Sequence, residues 1–275
     1  MKHDKLALAC GVLLLAVAAC GCSRLKARDQ LNKGVAAFRN AQFQAAIMHF
    51  KEAVSLDPSL LNAKLYLATA YSQLYIPGGE SEENVKLAKQ AIAGFDDVLT
   101  MDANNTTAIA SVAQIYYQMK DFDKAKDYQR RRLALEPNNP EPYYWIGVID
   151  WALCFPRQAQ LRKDLKLNVP KDVNNPNTLP PLPEKARAGL EKENGPLVEE
   201  GLKALQKAIE LKPNYDAAMV YLSLTYRERS HLDADQSVHE ADLQQANEWV
   251  QKALDIRKGG GEEKAAPATS TPGAS

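Results

Sequence analysis

The sequence predicts an all-α repeat array, about five helix pairs stacked along one axis. Three observations predict it. Alanine, leucine, lysine, glutamine and glutamate dominate residues 27–258, and β-branched runs are few. Three tripeptides, Leu56-Asp57-Pro58, Leu135-Glu136-Pro137 and Leu211-Lys212-Pro213, recur as stop signals, with Met101-Asp102-Ala103 filling the same role without proline. Pro137 lies 34 residues after Ala103, a fixed period of the kind that marks repeat architectures.

The internal pattern of each repeat follows from sterics. Gly34, Ala68, Ala113, Gly147 and Ser223 are small, and belong where the two helices of a pair approach most closely. Phe50, Tyr71, Phe95, Tyr116 and Tyr226 are large, and belong between neighbouring pairs. Asn139-Pro140 reads as a helix start, a capping side chain followed by proline in the opening turn, and Asn214 reads as another cap. The repeats fall near 27–60, 61–105, 106–139, 140–215 and 216–258.

This pattern resembles the tetratricopeptide-repeat family over residues 27–258. The resemblance implies a right-handed superhelical solenoid with a concave groove that binds protein partners. The signature tryptophan of the first helix is missing from every repeat. In the family, outward residues of each first helix line the groove. The matching positions here are Leu31, Val35 and Phe38; Leu65, Thr69 and Ser72; Ala110, Gln114 and Tyr117; Tyr144, Val148 and Trp151; and Val220, Leu224 and Arg227. Phe38, Ser72, Gln114, Tyr117, Tyr144, Trp151 and Arg227 are the candidate contact residues. The lining lacks the clustered lysines and asparagines of members that grip acidic C-termini. An extended peptide or helix with apolar anchors suits it better.

Three insertions depart from the period. Residues 75–85 and 229–241 read as surface loops. Residues 155–197 hold seven of the 15 prolines, and their centre, NNPNTLPPLP, favours extended polyproline geometry. Short helices are expected to flank that centre at 157–167 and 184–193. The insertion reads equally as a lid over the groove and as a solvated arm.

The ends carry different signals. Lys2 and Lys5 precede a 14-residue apolar run, 6–19, the size of a signal-peptide core and short for a bilayer span. It closes on Val17-Ala18-Ala19-Cys20, which resembles the bacterial lipobox and implies acylation at Cys20. The expected layout is a signal at 1–19, a linker to the lipid anchor at 20–26, and a bacterial cell-envelope location facing the periplasm. A secreted or periplasmic soluble protein is the alternative. Residues 259–275, rich in Gly, Ala, Ser, Thr and Pro, read as a disordered tail. Cys154 sits in an apolar helix and reads as a buried thiol.

Composition narrows function. The 34 basic and 34 acidic residues give a formal net charge of zero, without the basic surplus that nucleic-acid binding requires. Standard nucleotide-binding, hydrolase and metalloprotease motifs are absent from the sequence, and no cofactor is expected. His231 and His239, among Asp233, Asp235 and Glu240, match no standard metal spacing and read as solvated. The expected function is a protein-interaction scaffold or adaptor, not an enzyme, with partners recruited at a membrane through the lipid anchor. Alternatives are a periplasmic enzyme or metal-binding protein with its site in 155–197, or a self-associating module, since the fifth repeat lacks its closing proline.

Overall fold

The computed structural model describes residues 22–167 and 179–265, and these are all helix, turn and connection, with no strand among them. The helices are α1 (22–39), α2 (Phe43–Leu56), α3 (Leu61–Leu74), α4 (Glu82–Met101), α5 (Thr106–Gln118), α6 (Phe122–Leu135), α7 (Pro140–Asp164), α8 (Glu184–Leu211), α9 (Asp216–Ser230) and α10 (Gln236–Ala265). They form two compact units, Met1–Tyr128 and Gln129–Ser275. No described helix is long and apolar enough to cross a membrane.

The stop signals work as the sequence suggests. α2, α6 and α8 end two residues before Pro58, Pro137 and Pro213, and α4 ends two residues before Ala103. At two of the stops the aspartate then ties the following turn. Asp57 Oδ1 accepts from the Ser59 amide at 3.0 Å, and Asp102 Oδ1 from the Asn104 amide at 3.2 Å. Asn139 caps α7 by accepting from the Glu141 amide at 2.9 Å, with Pro140 opening the helix. The cap expected at Asn214 is absent: α9 starts from Tyr215 without a side-chain bond.

In the N-terminal unit, α3 packs on α2, α4 and α5 around buried Phe50, Phe95, Val98, Ile109 and Val112. In the C-terminal unit, α7 packs on α8 and α9, and α9 on α10, around Leu202, Leu205, Leu222 and Ala246. First helices of consecutive repeats therefore touch (α3 with α5, α7 with α9) and form the inner layer of each unit. The small residues sit at the closest approaches. A Cβ on Gly34 would come within 2.4 Å of the Phe50 ring, and one on Gly94 within 2.9 Å of the Ala68 Cβ. At Gly147 the added Cβ would lie 2.3 Å from Leu205 Cγ, deep in the core. Gly147→Ala gains helix propensity but forces Leu205 aside. A net loss of about 1–2 kcal/mol is expected, read as a lowered denaturant midpoint.

Four expectations require correction. Residues 22–26 are not a linker but the first turns of α1, where Arg24 lies 4.0 Å from Asp57. The short helices expected at 157–167 and 184–193 are continuations of α7 and α8, which run through Pro156 and Pro196. The 155–197 insertion therefore mostly lengthens the α7–α8 hairpin. Buried Asn194 locks it: its Nδ2 donates to the Cys154 carbonyl at 3.1 Å and its Oδ1 accepts from Arg157 at 3.2 Å. Those cross-links and the burial of Leu190 and Val198 offset the cost of proline inside a helix, about 3 kcal/mol. Residues 259–265, expected in the disordered tail, continue α10. Finally, the 75–85 loop shrinks to 75–81, because its last residues start α4. Buried Asn84 holds the loop, accepting from the Ile76 amide at 2.7 Å and donating to the Ile76 and Gly79 carbonyls at 2.8 Å each.

Cys20 and the apolar run lie outside the described residues, as do 168–178 and 266–275. Cys154 is fully buried, as expected.

Candidate functional site

All seven candidate contact residues are half-buried, the exposure expected of side chains lining a shallow surface. The N-terminal unit carries Phe38, Ser72, Gln114 and Tyr117. Phe38 meets Phe43 edge-on at 5.2 Å and Tyr66 at 6.2 Å, and Tyr117 packs on Phe122 at 5.7 Å. Ser72 donates back to the Thr69 carbonyl at 2.7 Å, which uses its only donor within the helix. Val148, also expected on the groove, is 1% exposed and belongs to the core instead.

The C-terminal unit carries Tyr144, Trp151 and Arg227, and here the side chains assemble. Tyr144, Trp151 and Phe155 recur on one face of α7, spaced seven and four residues apart. α9 answers with Tyr221. The result is a continuous aromatic row. Tyr215 lies 5.0 Å from Tyr144, Tyr144 5.8 Å from Tyr221, Tyr221 5.5 Å from Trp151, and Trp151 5.1 Å from Phe155, stacked at 20°. Phe155 is 45% exposed, which is high for a ring of its size. Burial, with Glu141 and Asp216 nearby, pushes the Tyr215 phenol up to about 12, so it remains a neutral donor. Arg227 donates to Asn247 Oδ1 at 2.8 Å, which lays its guanidinium across α9 and α10.

At the Phe155 end, the row runs into a polar recess. Arg162 is 3% exposed and reaches from α7 to the following connection, donating to the Pro180 carbonyl at 2.8 Å. Its other terminal nitrogen lies 3.1 Å from His231 Nδ1. A guanidinium only donates, so His231 Nδ1 accepts and the ring proton sits on Nε2. Burial, then the positive charge of Arg162 and the neighbouring His239 and Arg227, hold His231 down to about 3. His239 Nδ1 donates to the Ser230 carbonyl at 2.6 Å, and the two imidazoles lie 6.0 Å apart. The histidines are therefore fixed parts of the α9–α10 corner, not solvated loop residues. Beside them, Glu228 is buried, and burial pushes its carboxyl up to about 7 against the opposing pull of Arg162.

Sequence reasoning found the aromatic row in part, through Tyr144 and Trp151. It missed Tyr221, Phe155 and the buried polar set Gln158, Arg162 and Glu228. The one available signal was the insertion's length, which carries Gln158 and Arg162 beyond the repeat period. Among the described residues, no three His, Cys, Asp or Glu side chains are grouped to hold a metal ion.

Comparison with known proteins agrees with the repeat fold. The family model described as tetratricopeptide repeat matches residues 30–60 and 107–139. The interferon-induced protein with tetratricopeptide repeats 2 of Cricetulus griseus is 26% identical over 136 residues, 50% of this chain and 25% of that protein. The Hsp70-Hsp90 organizing protein 3 of Arabidopsis thaliana is 26% identical over 115 residues, 42% of this chain and 19% of that protein. The chain thus spans a quarter or less of the length of these curated relatives. Among solved structures, MamA protein aligns with a TM-score of 0.57 at 15% identity, covering 88% of this chain and 98% of that one. YrrB, described as a TPR protein with an unusual peptide-binding site, aligns at 0.51 and 15% identity, covering 83% and 85%. The fold is all-helical and resembles these tetratricopeptide solenoids.

Proposed function

We propose that this chain is a protein-interaction scaffold of the bacterial cell envelope, capturing a peptide or helix of a partner on its inner helical layer. The observation that carries the reading is the aromatic row on α7 and α9. Half-buried tyrosine and tryptophan rings in series offer large apolar contact at low entropic cost, the usual composition of binding hot spots. Similar proteins support it, since YrrB is named for a peptide-binding site and the Arabidopsis relative for organizing two chaperones. The envelope part rests on the sequence alone, on the apolar run ending at Cys20.

Affinity capture from membranes tests both parts. Tyr144→Asp places a charge within the row and is expected to weaken partner capture by more than about tenfold, with helicity unchanged. Tyr117→Asp tests the N-terminal unit in the same way. Unchanged capture by both variants would place the binding surface elsewhere. Cys20→Ser is expected to release the protein from the membrane fraction and to abolish incorporation of labelled fatty acid. Continued labelling would rule out acylation at that residue.

A further inference from the structure

The lengthened α7–α8 hairpin does more than extend the repeat. Arg162 anchors the returning connection through the Pro180 carbonyl, and this brings Leu179 against α9 and α10. A pocket of about 360 Å³ results, lined by Trp151, Phe155, Gln158, Leu179, Glu228 and His231 among others. It opens where the aromatic row ends.

Two of its walls are unusual. Gln158 and Glu228 are each 5% exposed, and Glu228 Oε2 has no hydrogen-bond partner among the described residues. Buried polar side chains are normally paired, and one left without a partner pays its full desolvation cost. Both face the same pocket, from α7 and α9. Repeat packing alone does not require a polar group at either position, and apart from Arg227 and His231 the other walls are apolar.

The pocket's chemistry selects its occupant. A carboxylate entering it would face Glu228. An ammonium or guanidinium would face Arg227, which lines the same pocket, and Arg162 behind His231. An apolar side chain would seal off Glu228 Oε2 without a partner. A neutral group that both donates and accepts satisfies both and brings no charge. Its stem would lie between the Trp151 and Phe155 rings and Leu179. We propose that this pocket receives a carboxamide side chain, glutamine or its shorter homologue asparagine, of the partner peptide. The proposal rests on the inner-layer binding described above and adds its side-chain specificity. The raised titration of Glu228, which keeps its carboxyl partly protonated near neutrality, fits a neutral occupant.

The test uses the full chain carrying Cys20→Ser and a short probe, N-acetyl-glutamine N-methylamide, followed by the indole N–H signal of Trp151 in NMR titrations. The asparagine, glutamate, lysine and methionine counterparts are titrated alongside. The glutamine or asparagine probe is expected to bind at least about tenfold tighter than the other three. Gln158→Leu, which keeps the side-chain volume, is expected to remove that preference while the amide spectrum stays folded. Glu228→Leu is a second route to the same loss. Equal or tighter binding of the glutamate, lysine or methionine probe overturns the proposal. So does the absence of any shift at the solubility limit of the probes. If the wild-type chain still captures a partner, and Tyr144→Asp abolishes that capture, while the carboxamide probes show no preference, the inner layer remains the binding surface and only this pocket assignment falls.

Discussion

Replacing Arg229 with leucine is expected to destabilise the C-terminal unit by about 3–5 kcal/mol near neutral pH. Asp242 is 2% exposed, and its carboxylate is held from two sides of one guanidinium, by Arg229 Nε at 3.0 Å and Nη2 at 2.7 Å. Arg229 also reaches Glu199 at 3.3 Å and stacks near the Tyr226 ring at 5.1 Å, so it joins α8, α9 and α10. The carboxylates facing it hold Arg229 more firmly protonated than a free arginine. Removing it strands a buried carboxylate, and the stranded charge costs more than the lost attraction. Denaturant midpoints at pH 7 would show the deficit. The double variant Arg229→Leu with Asp242→Leu should recover most of the loss, because neither charge is then left alone. An Arg229→Leu protein as stable as the wild type at pH 7 would contradict this account of the α8–α10 corner.

The neighbouring residue should behave in the opposite sense. Glu228→Gln is expected to stabilise the protein above neutrality, by about 3 kcal/mol relative to any effect it has near pH 4. Glu228 has a raised carboxyl in the folded chain, about 7 against 4.5 when free. Between those values the unfolded chain has lost the proton and the folded chain keeps it. Stability therefore falls as pH rises through that window and levels off above it. His231 works against this trend. Its folded value near 3 lies below its free value of 6.5, so its contribution is lost as pH falls through that window. The two slopes oppose one another between about 4.5 and 6.5, and the wild-type profile should be flat there. Glu228→Gln removes one of them. The variant's stability should then decline steadily from pH 6.5 downward while exceeding the wild type at pH 8. The groups facing Glu228 are Arg162 from α7 and Arg227 and His231 from α9 and its end, and its Oε2 has no hydrogen-bond partner among the described residues. Parallel profiles for the two proteins would show that Glu228 is solvated or paired in solution.

Much of the fold was legible because repeat packing repeats its demands. At 34 and 147 an added Cβ would collide with a neighbouring helix, Ala68 sits where a Cβ on Gly94 would collide with it, and stop signals at 58, 137 and 213 each sit two residues past a helix end. Such local rules survive in a single sequence. The prolines misled for the opposite reason. Pro156 and Pro196 look like breakers when judged locally, yet the hairpin they sit in is paired along its length, and Asn194 bridges it at the Cys154 carbonyl. Tertiary pairing outweighed local preference. The polar recess was harder still. Gln158 and Glu228 lie 70 positions apart and share a pocket only because the lengthened α7 passes beside the C-terminal end of α9. Nothing in the spacing of either residue announces the other. The aromatic row lies between these cases, since Tyr144 and Trp151 follow the family pattern while Phe155 lies in the insertion.

The central claim is that the inner helical layer, and the α7–α9 row above all, is where a partner binds. Site-specific photocrosslinking in living cells tests it most directly. A benzophenone side chain is placed in turn at positions 144 and 151 on the row and at position 210, an exposed site on α8. The account predicts one discrete crosslinked partner from 144 and 151 and none from 210. Crosslinks from 210 alone, or none from either row position, would contradict it.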